Sequence, residues 1–365
     1  MQTLTTPLSA AAPLLPSPST PPSPSKAARG KNLPRDAVHG VLLLDKPLGL
    51  SSNDALIRAR RLLNAEKAGH GGTLDPLASG LLPLAFGEAT KFADDLLSAD
   101  KTYIAGMRLG LTTTTGDREG EFVERQPVAK DQFSSEQLEA VLAKFRGPQE
   151  QIPPMYSALK KDGQALYEYA RRGETVERLA RSIVIHELSV QPSSVEVFPN
   201  SFPVMEDHPV IHLKVTCSKG TYIRVLVEDL GRALGCGAHL ASLRRTAVDY
   251  LSLDHAVSLV ELEALSLDQR RLRLDPIDSL LRRLPTVQLD QEQMKRLMMG
   301  QKLSPRSFIE QMAELAERLA KACPTFLSIN ADPVVAKAYG PEHQLLGTVE
   351  IDQQALKPRR LVRTF

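Results

Sequence analysis

Segments with the period of a strand and segments with the period of a helix alternate from residue 38 to about residue 265. Only one long proline-punctuated stretch, residues 193–209, breaks the alternation. A chain patterned this way is held to a mixed sheet with helices packed on it, so the expected class is α+β. Order begins at GVLLLDKPLGLSSNDALIRARRLLN. Val41–Leu44 reads as a buried strand and Lys46–Gly49 as a turn. Ser52 or Asn53 then caps a helix with Leu56, Ala59, Leu62 and Leu63 on its apolar face and Arg58, Arg60 and Arg61 on the other. SSEQLEAVLAKFRG reads as a second amphipathic helix and KTYIAGMRLGL as a strand. HPVIHLKVTCSKGTYIRVLVEDL reads as a strand running into a helix with Leu226, Val227, Leu230 and Leu234 inward.

At 365 residues two domains are expected. Residues 1–36 read as a disordered tail: they hold eight prolines, and the first acid of the chain is Asp36. The same composition resembles a transit peptide, although prolines block an amphipathic helix there and arginines are few. Residues 37–275 form the large domain. Residues 276–365 read as a small, mainly β domain with one helical insertion near 308–322. The basic stretch RRLRLDPIDSLLRRLP reads as a hinge between them. Its arginines, with Arg359 and Arg360, are candidates for phosphate contact. The net charge of +2 leaves basic surface to local clustering, and three scattered cysteines without a CxxC pair suggest neither disulfides nor zinc. That cysteine usage fits a cytoplasmic location, and no apolar run approaches the length of a membrane span.

One carboxylate stands out. In GHGGTLDPLASG, Pro76 biases Asp75 toward extended geometry and holds it on a stiff backbone, while Gly71 and Gly72 allow something bulky to approach. No second acid lies nearby in sequence. Arg224, at the end of SKGTYIR, is of the type that pairs with a carboxylate. On these residues alone, an Asp75 that caps a turn with Arg224 in a surface ion pair explains the pattern as well as a functional carboxylate does.

The order of the longer motifs separates the two readings. GHGGTLDPLASGLLPLAFGEATKF, KTYIAGMRLG, QIPPMYSALKKDGQALYEYAR, CSKGTYIRVLVEDLG and GCGAHLASLRRTAV follow one another, and together they closely resemble the TruB family of pseudouridine synthases. The resemblance runs from about residue 38 to 262 and resumes in LLGTVEIDQQALKPRRLVR, which looks like the end of a PUA-like RNA-binding domain. It implies a mixed-sheet pseudouridine synthase domain with a small C-terminal β-rich PUA-like domain. The implied activity is isomerisation of uridine 55 in the T loop of tRNA, with Asp75 as sole catalytic carboxylate and no metal or cofactor. Tyr103 matches the tyrosine that stacks on the target base and takes the C5 proton. Arg224 matches the arginine that pairs with the aspartate, Tyr222 a residue bordering the uracil on the same strand face, and Leu243 an apolar wall. His70 matches a histidine that enters the RNA loop, and Lys46 and Lys91 sit in matching DKP and ATKF motifs with phosphate or backbone contacts. The expected partner is the tRNA T arm, bound by a monomer that needs no protein partner and no membrane. Two other classes share parts of the pattern: a guide-RNA-dependent synthase subunit, and a non-enzymatic tRNA-folding chaperone.

Overall fold

In β1 (Gly40–Lys46), the first strand among the described residues, Val41 and Leu43 point into one apolar cluster while Leu42 and Leu44 enter another. This is the two-residue period of a strand buried on both faces. The structure, a computed structural model, describes residues 34–129, 131–191, 205, 207–304, 333–352 and 355–363. The proline-rich tail up to residue 33, most of the 193–209 excursion and the helix expected near 308–322 lie outside the described residues. Residues 36–365 form one unit, apart from residues 1–35.

Ser51, rather than Ser52 or Asn53, caps α1 (Ser52–Leu62), its hydroxyl accepting from the Asp54 amide at 3.1 Å. Ala55, Ala59 and Leu63 seat this helix on the β1 cluster, with Leu56 and Leu62 half-buried beside them. There follow β2 (Ala68–His70), β3 (Ala78–Phe86), α2 (Ala93–Ser98) and β4 (Lys101–Leu109). A hairpin of β5 (Leu111–Thr113) and β6 (Phe122–Arg125) leads to α3 (Ser135–Leu142) and β7 (Gly147–Gln151). Ser134 and Gln137 form a reciprocal capping box on α3. The two-residue strands β8 (Lys160–Lys161) and β9 (Gln164–Ala165) precede α4 (Leu166–Arg171), β10 (Arg181–Val190) and β11 (Val210–Cys217). Then come α5 (Ile223–Ala233), β12 (Ala238–Val248), β13 (Leu251–Ser252), β14 (Val257–Ser258), α6 (Leu259–Ala264) and α7 (Leu267–Arg271).

Among the described residues, ten of these strands make one mixed sheet with the path β14-β1-β3-β12-β4-β11-β10-β7, while β2 pairs with β3 and β13 with β12. Every residue of β3 is buried. It runs antiparallel to β1 over Gly80–Phe86 but parallel to β12 only over Ala78–Gly80, before β2 takes over at Leu84–Phe86. Pro83, which lacks an amide donor, sits where the partner changes and the ladder is already interrupted. α5 covers the other half of the sheet through Ile223, Leu226, Val227 and Leu230, packed with Met107, Leu213 and Leu240.

A second sheet, β15-β16-β17-β18, is built from Thr286–Gln288, Val334–Tyr339, Leu345–Ile351 and Leu356–Leu361, with α8 (Gln291–Met298) on it and a separate core of Val287, Leu297, Ala336, Val349 and Leu356. The stretch read as a hinge is packed. Leu280 and Leu281 enter the cluster of Val41, Leu81 and Phe92, and Val362 from the far end of the chain joins them. Leucines interleaved with the arginines give that segment enough apolar surface to bury. The arginines are engaged by the protein as well. Arg270 donates to the carbonyls of Leu62, Leu262 and Glu263, Arg282 lies 5.8 Å from the centre of the Tyr250 ring, and Arg283 pairs with Asp249. Arg360 pairs with Asp95 at 2.8 Å, while Arg359 is exposed.

Candidate active site

Asp75 begins a tight turn whose Ala78 amide returns to the Asp75 carbonyl at 3.0 Å, with Pro76 at the second position, where its fixed φ suits a β-turn. The loop before it is pinned from α1. The buried Ser52 hydroxyl accepts from the Leu74 amide at 2.7 Å and donates to the Leu74 carbonyl at 3.0 Å. Because Ser51 takes the capping role, Ser52 is free to make this contact. On the other side the Gly49 amide donates to the Pro76 carbonyl at 2.8 Å. The carboxylate of Asp75 itself stays about half exposed (49%).

Arg224 meets it from α5. β11 ends at Cys217, and a turn through Lys219 and Gly220 (φ +82°) separates strand from helix. Tyr222 is therefore the N-cap of α5 and Arg224 lies in its first turn, so the expectation that they share a strand face does not hold. Gln151 fixes the junction, accepting from the Tyr222 amide at 2.8 Å and donating to its carbonyl at 3.1 Å. The Arg224 fork is divided between two acids: Nη2 donates to Asp75 Oδ2 at 3.0 Å and Nη1 to Asp117 Oδ2 at 2.9 Å. Nη2 also reaches the Tyr156 carbonyl at 2.8 Å. Asp117 is buried, its other oxygen accepting from the Thr115 hydroxyl at 2.6 Å and the Glu119 amide at 3.0 Å. A guanidinium held by a buried carboxylate on one side presents a fixed charge to the exposed carboxylate on the other.

Two cavities open on this pair. One, of about 450 Å³, is walled by Tyr103, Tyr222, Leu243, Lys101 and Arg245 with Asp75 and Arg224 at its edge. The other, of about 740 Å³, is bordered by Asp117, Glu119, Glu121, Tyr156, Tyr167 and Arg171. Asp75 and Arg224 belong to both. Burial raises the pKa of the Tyr103 and Tyr222 phenols, and for Tyr103 the guanidinium of Arg245 opposes that rise. Burial pulls Lys101 down to about 8, where its ammonium donates to the carbonyls of Leu96, Leu97 and Ala99 at the end of α2.

The fold thus brings together Asp75, Tyr103, Tyr222, Arg224 and Leu243, which lie far apart in the chain. The other three expected residues are not in the cavity walls. Lys46 is fully buried, brought down to about 8 by desolvation, and donates to the carbonyls of Pro47 and Leu50. A phosphate cannot reach it there, so of the contacts expected for Lys46 only backbone bonding within the protein remains. Lys91 turns toward the small sheet, bonded to Glu88 and to the Leu361 carbonyl at 2.6 Å each. His70 closes β2, its pKa lowered by burial and then by the nearby charge of Arg245. Sequence reading missed Asp117, Arg245, Ser52 and Gln151. Arg245 adjoins Leu243 in ASLRR and was within reach, whereas Asp117 sits in a Thr- and Gly-rich turn whose composition marks only a loop.

Residues 60–223 match the TruB family pseudouridylate synthase N-terminal domain, and residues 224–284 match the tRNA pseudouridylate synthase B C-terminal domain. The junction of the two matches falls inside the first turn of α5, at Arg224. The chain is 52% identical over 339 residues to the tRNA pseudouridine synthase B of Cupriavidus metallidurans, spanning 93% of this chain and 99% of that protein. It is 58% identical over 270 residues to the enzyme of that name from Ralstonia nicotianae, covering 74% of this chain and 82% of the relative. Among solved structures, a chain of a Cbf5-Nop10-Gar1 complex superposes with a TM-score of 0.59 at 22% identity, covering 89% of this chain and 85% of the other, a likeness of fold. With near-full-length relatives at half identity or better and two consecutive family matches, this chain belongs to the TruB family of pseudouridylate synthases.

Proposed function

We propose that the protein isomerises uridine to pseudouridine in tRNA, with uridine 55 of the T loop as the target. The observation that carries this reading is the half-exposed Asp75 held by Arg224 at the mouth of a cavity walled by two tyrosines and a leucine. A uridine stacked in a folded loop has to be extruded before it can be reached, at a cost of a few kcal/mol. Stacking on an aromatic ring returns about 1–3 kcal/mol. In this reading Tyr103 stacks on the uracil, Tyr222 and Leu243 border it, and Asp75 attacks C6 of the base or C1′ of the ribose. The C1′–N1 bond breaks, the base turns, C5 joins C1′, and the C5 proton leaves toward Tyr103. The sequence of bonds is redox-neutral and consumes no water, so one nucleophile and one proton acceptor suffice.

The near-full-length identity to tRNA pseudouridine synthase B supports a tRNA-modifying enzyme, which in this reading acts alone, as a monomer, on bare cytoplasmic tRNA. His70 is assigned to the RNA loop. The exposed Arg359 on the edge of the small sheet is assigned to phosphate contact. The experiment that tests the reading is mapping of pseudouridine in unmodified tRNA treated with the purified full chain. Modification confined to position 55 supports it, and unmodified tRNA with binding intact points instead to a chaperone.

A further inference from the structure

Arg245 is the largest fully buried side chain among the described residues, and it lines the same cavity as Tyr103, Asp75 and Leu243. An arginine with 1% of its surface exposed needs a reason to be there. Its strand register supplies one: in the antiparallel pairing of β12 with β4, Arg245 stands directly opposite Tyr103. Directly opposed residues of an antiparallel pair share a face, with Cβ atoms about 5 Å apart. The guanidinium then continues toward the loop that carries Asp75. Nη2 donates to the Gly72 carbonyl at 3.1 Å, Nη1 reaches the Thr73 carbonyl at 3.5 Å, and Nε donates to the Leu81 carbonyl at 2.7 Å. A glycine lets its strand come this close: a Cβ at Gly80 would lie 2.2 Å from the Arg245 backbone carbonyl.

We infer that Arg245 is a positioning residue for the proton-transfer half of the reaction, joining Tyr103 to the backbone ahead of Asp75 and keeping a positive charge behind the phenol oxygen. The inference rests on the function proposed above. In the step concerned, the C5–H bond breaks and its electron pair forms the C5=C6 double bond of uracil, while C6 gives up its bond to the Asp75 oxygen (after attack at C6) or its C6=N1 pair moves to N1, which takes a proton from water (after attack at C1′). The proton passes to the Tyr103 oxygen, which has first given its own proton to solvent water. A fixed cation beside that oxygen stabilises the phenolate form, in line with the opposition between Arg245 and burial at Tyr103. The earlier steps, attack by Asp75 and rejoining at C5, place no such demand on the phenol.

The two halves can be read separately in the full-length protein. A tRNA with 5-fluorouridine at the target has no C5 hydrogen, so it reports cleavage and rejoining without proton transfer. Release of tritium from C5-tritiated uridine reports the proton transfer. Arg245→Met is expected to bind tRNA and, because the Gly72 and Thr73 carbonyls ahead of Asp75 lose its guanidinium, to form the C5-joined fluorinated product no more than about tenfold more slowly than the wild type. Its tritium release is expected to fall by about 100-fold, the scale of a general base, with a larger C5 deuterium isotope effect on turnover. Arg245→Lys, which keeps the charge and loses the fork, is expected between the two. If Arg245→Met melts below the assay temperature, Arg245→Lys decides by the same ratio of the two rates. Tritium release at the wild-type rate, or an equal fall of both reactions, overturns the inference. Failure of the underlying reading looks different: the wild-type chain itself would neither join fluorouridine nor release tritium.

Discussion

The Arg224 fork makes Asp117 as consequential as Asp75 for the shape of the site, although only Asp75 is exposed. A buried ion pair that loses one partner leaves an uncompensated charge, at a cost of about 3–5 kcal/mol. Asp117→Asn keeps an oxygen for Nη1 and is expected at or below the lower end of that range. Denaturant unfolding is expected to show a lower midpoint, with pseudouridine formation reduced and tRNA affinity kept. An unchanged midpoint together with unchanged turnover would mean that Arg224 needs only Asp75. This residue marks where sequence reading stopped. The Asp75 turn was legible because proline and glycines announce their geometry locally, and Arg224 because a motif carried it. Asp117 lies 42 positions after Asp75 and meets it only through α5, a contact that no local period encodes. For Lys46 and Lys91 the motif leaves phosphate, backbone and structural roles open; Lys46 is buried against carbonyls, and Lys91 bonds Glu88 and the Leu361 carbonyl of the small sheet.

At the scale of elements, α1 acts on the site through one hydroxyl. Ser52 bonds both backbone groups of Leu74, so its removal leaves a buried amide and carbonyl without that partner. Ser52→Ala is expected to cost roughly 1–3 kcal/mol in stability. It is also expected to slow turnover by about tenfold or more through a looser Asp75 loop, with tRNA binding retained. A variant that loses stability but turns over normally would show that Pro76 alone holds the loop. The elements themselves were legible where apolar period was strong, as in Val41–Leu44 and the face of α5. They were misread where a turn intervened, because SKGTY carries a Lys-Gly corner that breaks strand from helix and moves Tyr222 to a cap. The RRLRLDPIDSLLRRLP stretch was read by its charge, while its leucines decided its place.

For the whole molecule, the packing of Leu280, Leu281 and Val362 against Val41, Leu81 and Phe92 couples the C-terminal segment to the catalytic core. A truncation before Pro276 is therefore expected to lower Tm by many degrees and to abolish turnover, rather than only weakening RNA binding. A truncated chain that melts with the wild type would show the two parts to be independent. Stability also depends on pH through His70, His212 and His239, each held below the ordinary histidine value of 6.5 by burial. As pH falls through about 6.5 the unfolded chain gains protons that the folded chain refuses, so stability declines on the acid side and is retained above it. Chemical denaturation from neutral to mildly acid pH should show that decline, shallower in His239→Gln; a flat profile would contradict it. In the proposed reaction a single carboxylate, that of Asp75, does the chemistry. Asp75→Asn preserves shape and removes the charge, and C5-tritiated uridine in tRNA reports turnover directly, because the rejoined base must expel that hydrogen. tRNA binding is expected near the wild-type level, with tritium release at background. Release by Asp75→Asn at close to the wild-type rate would contradict that role.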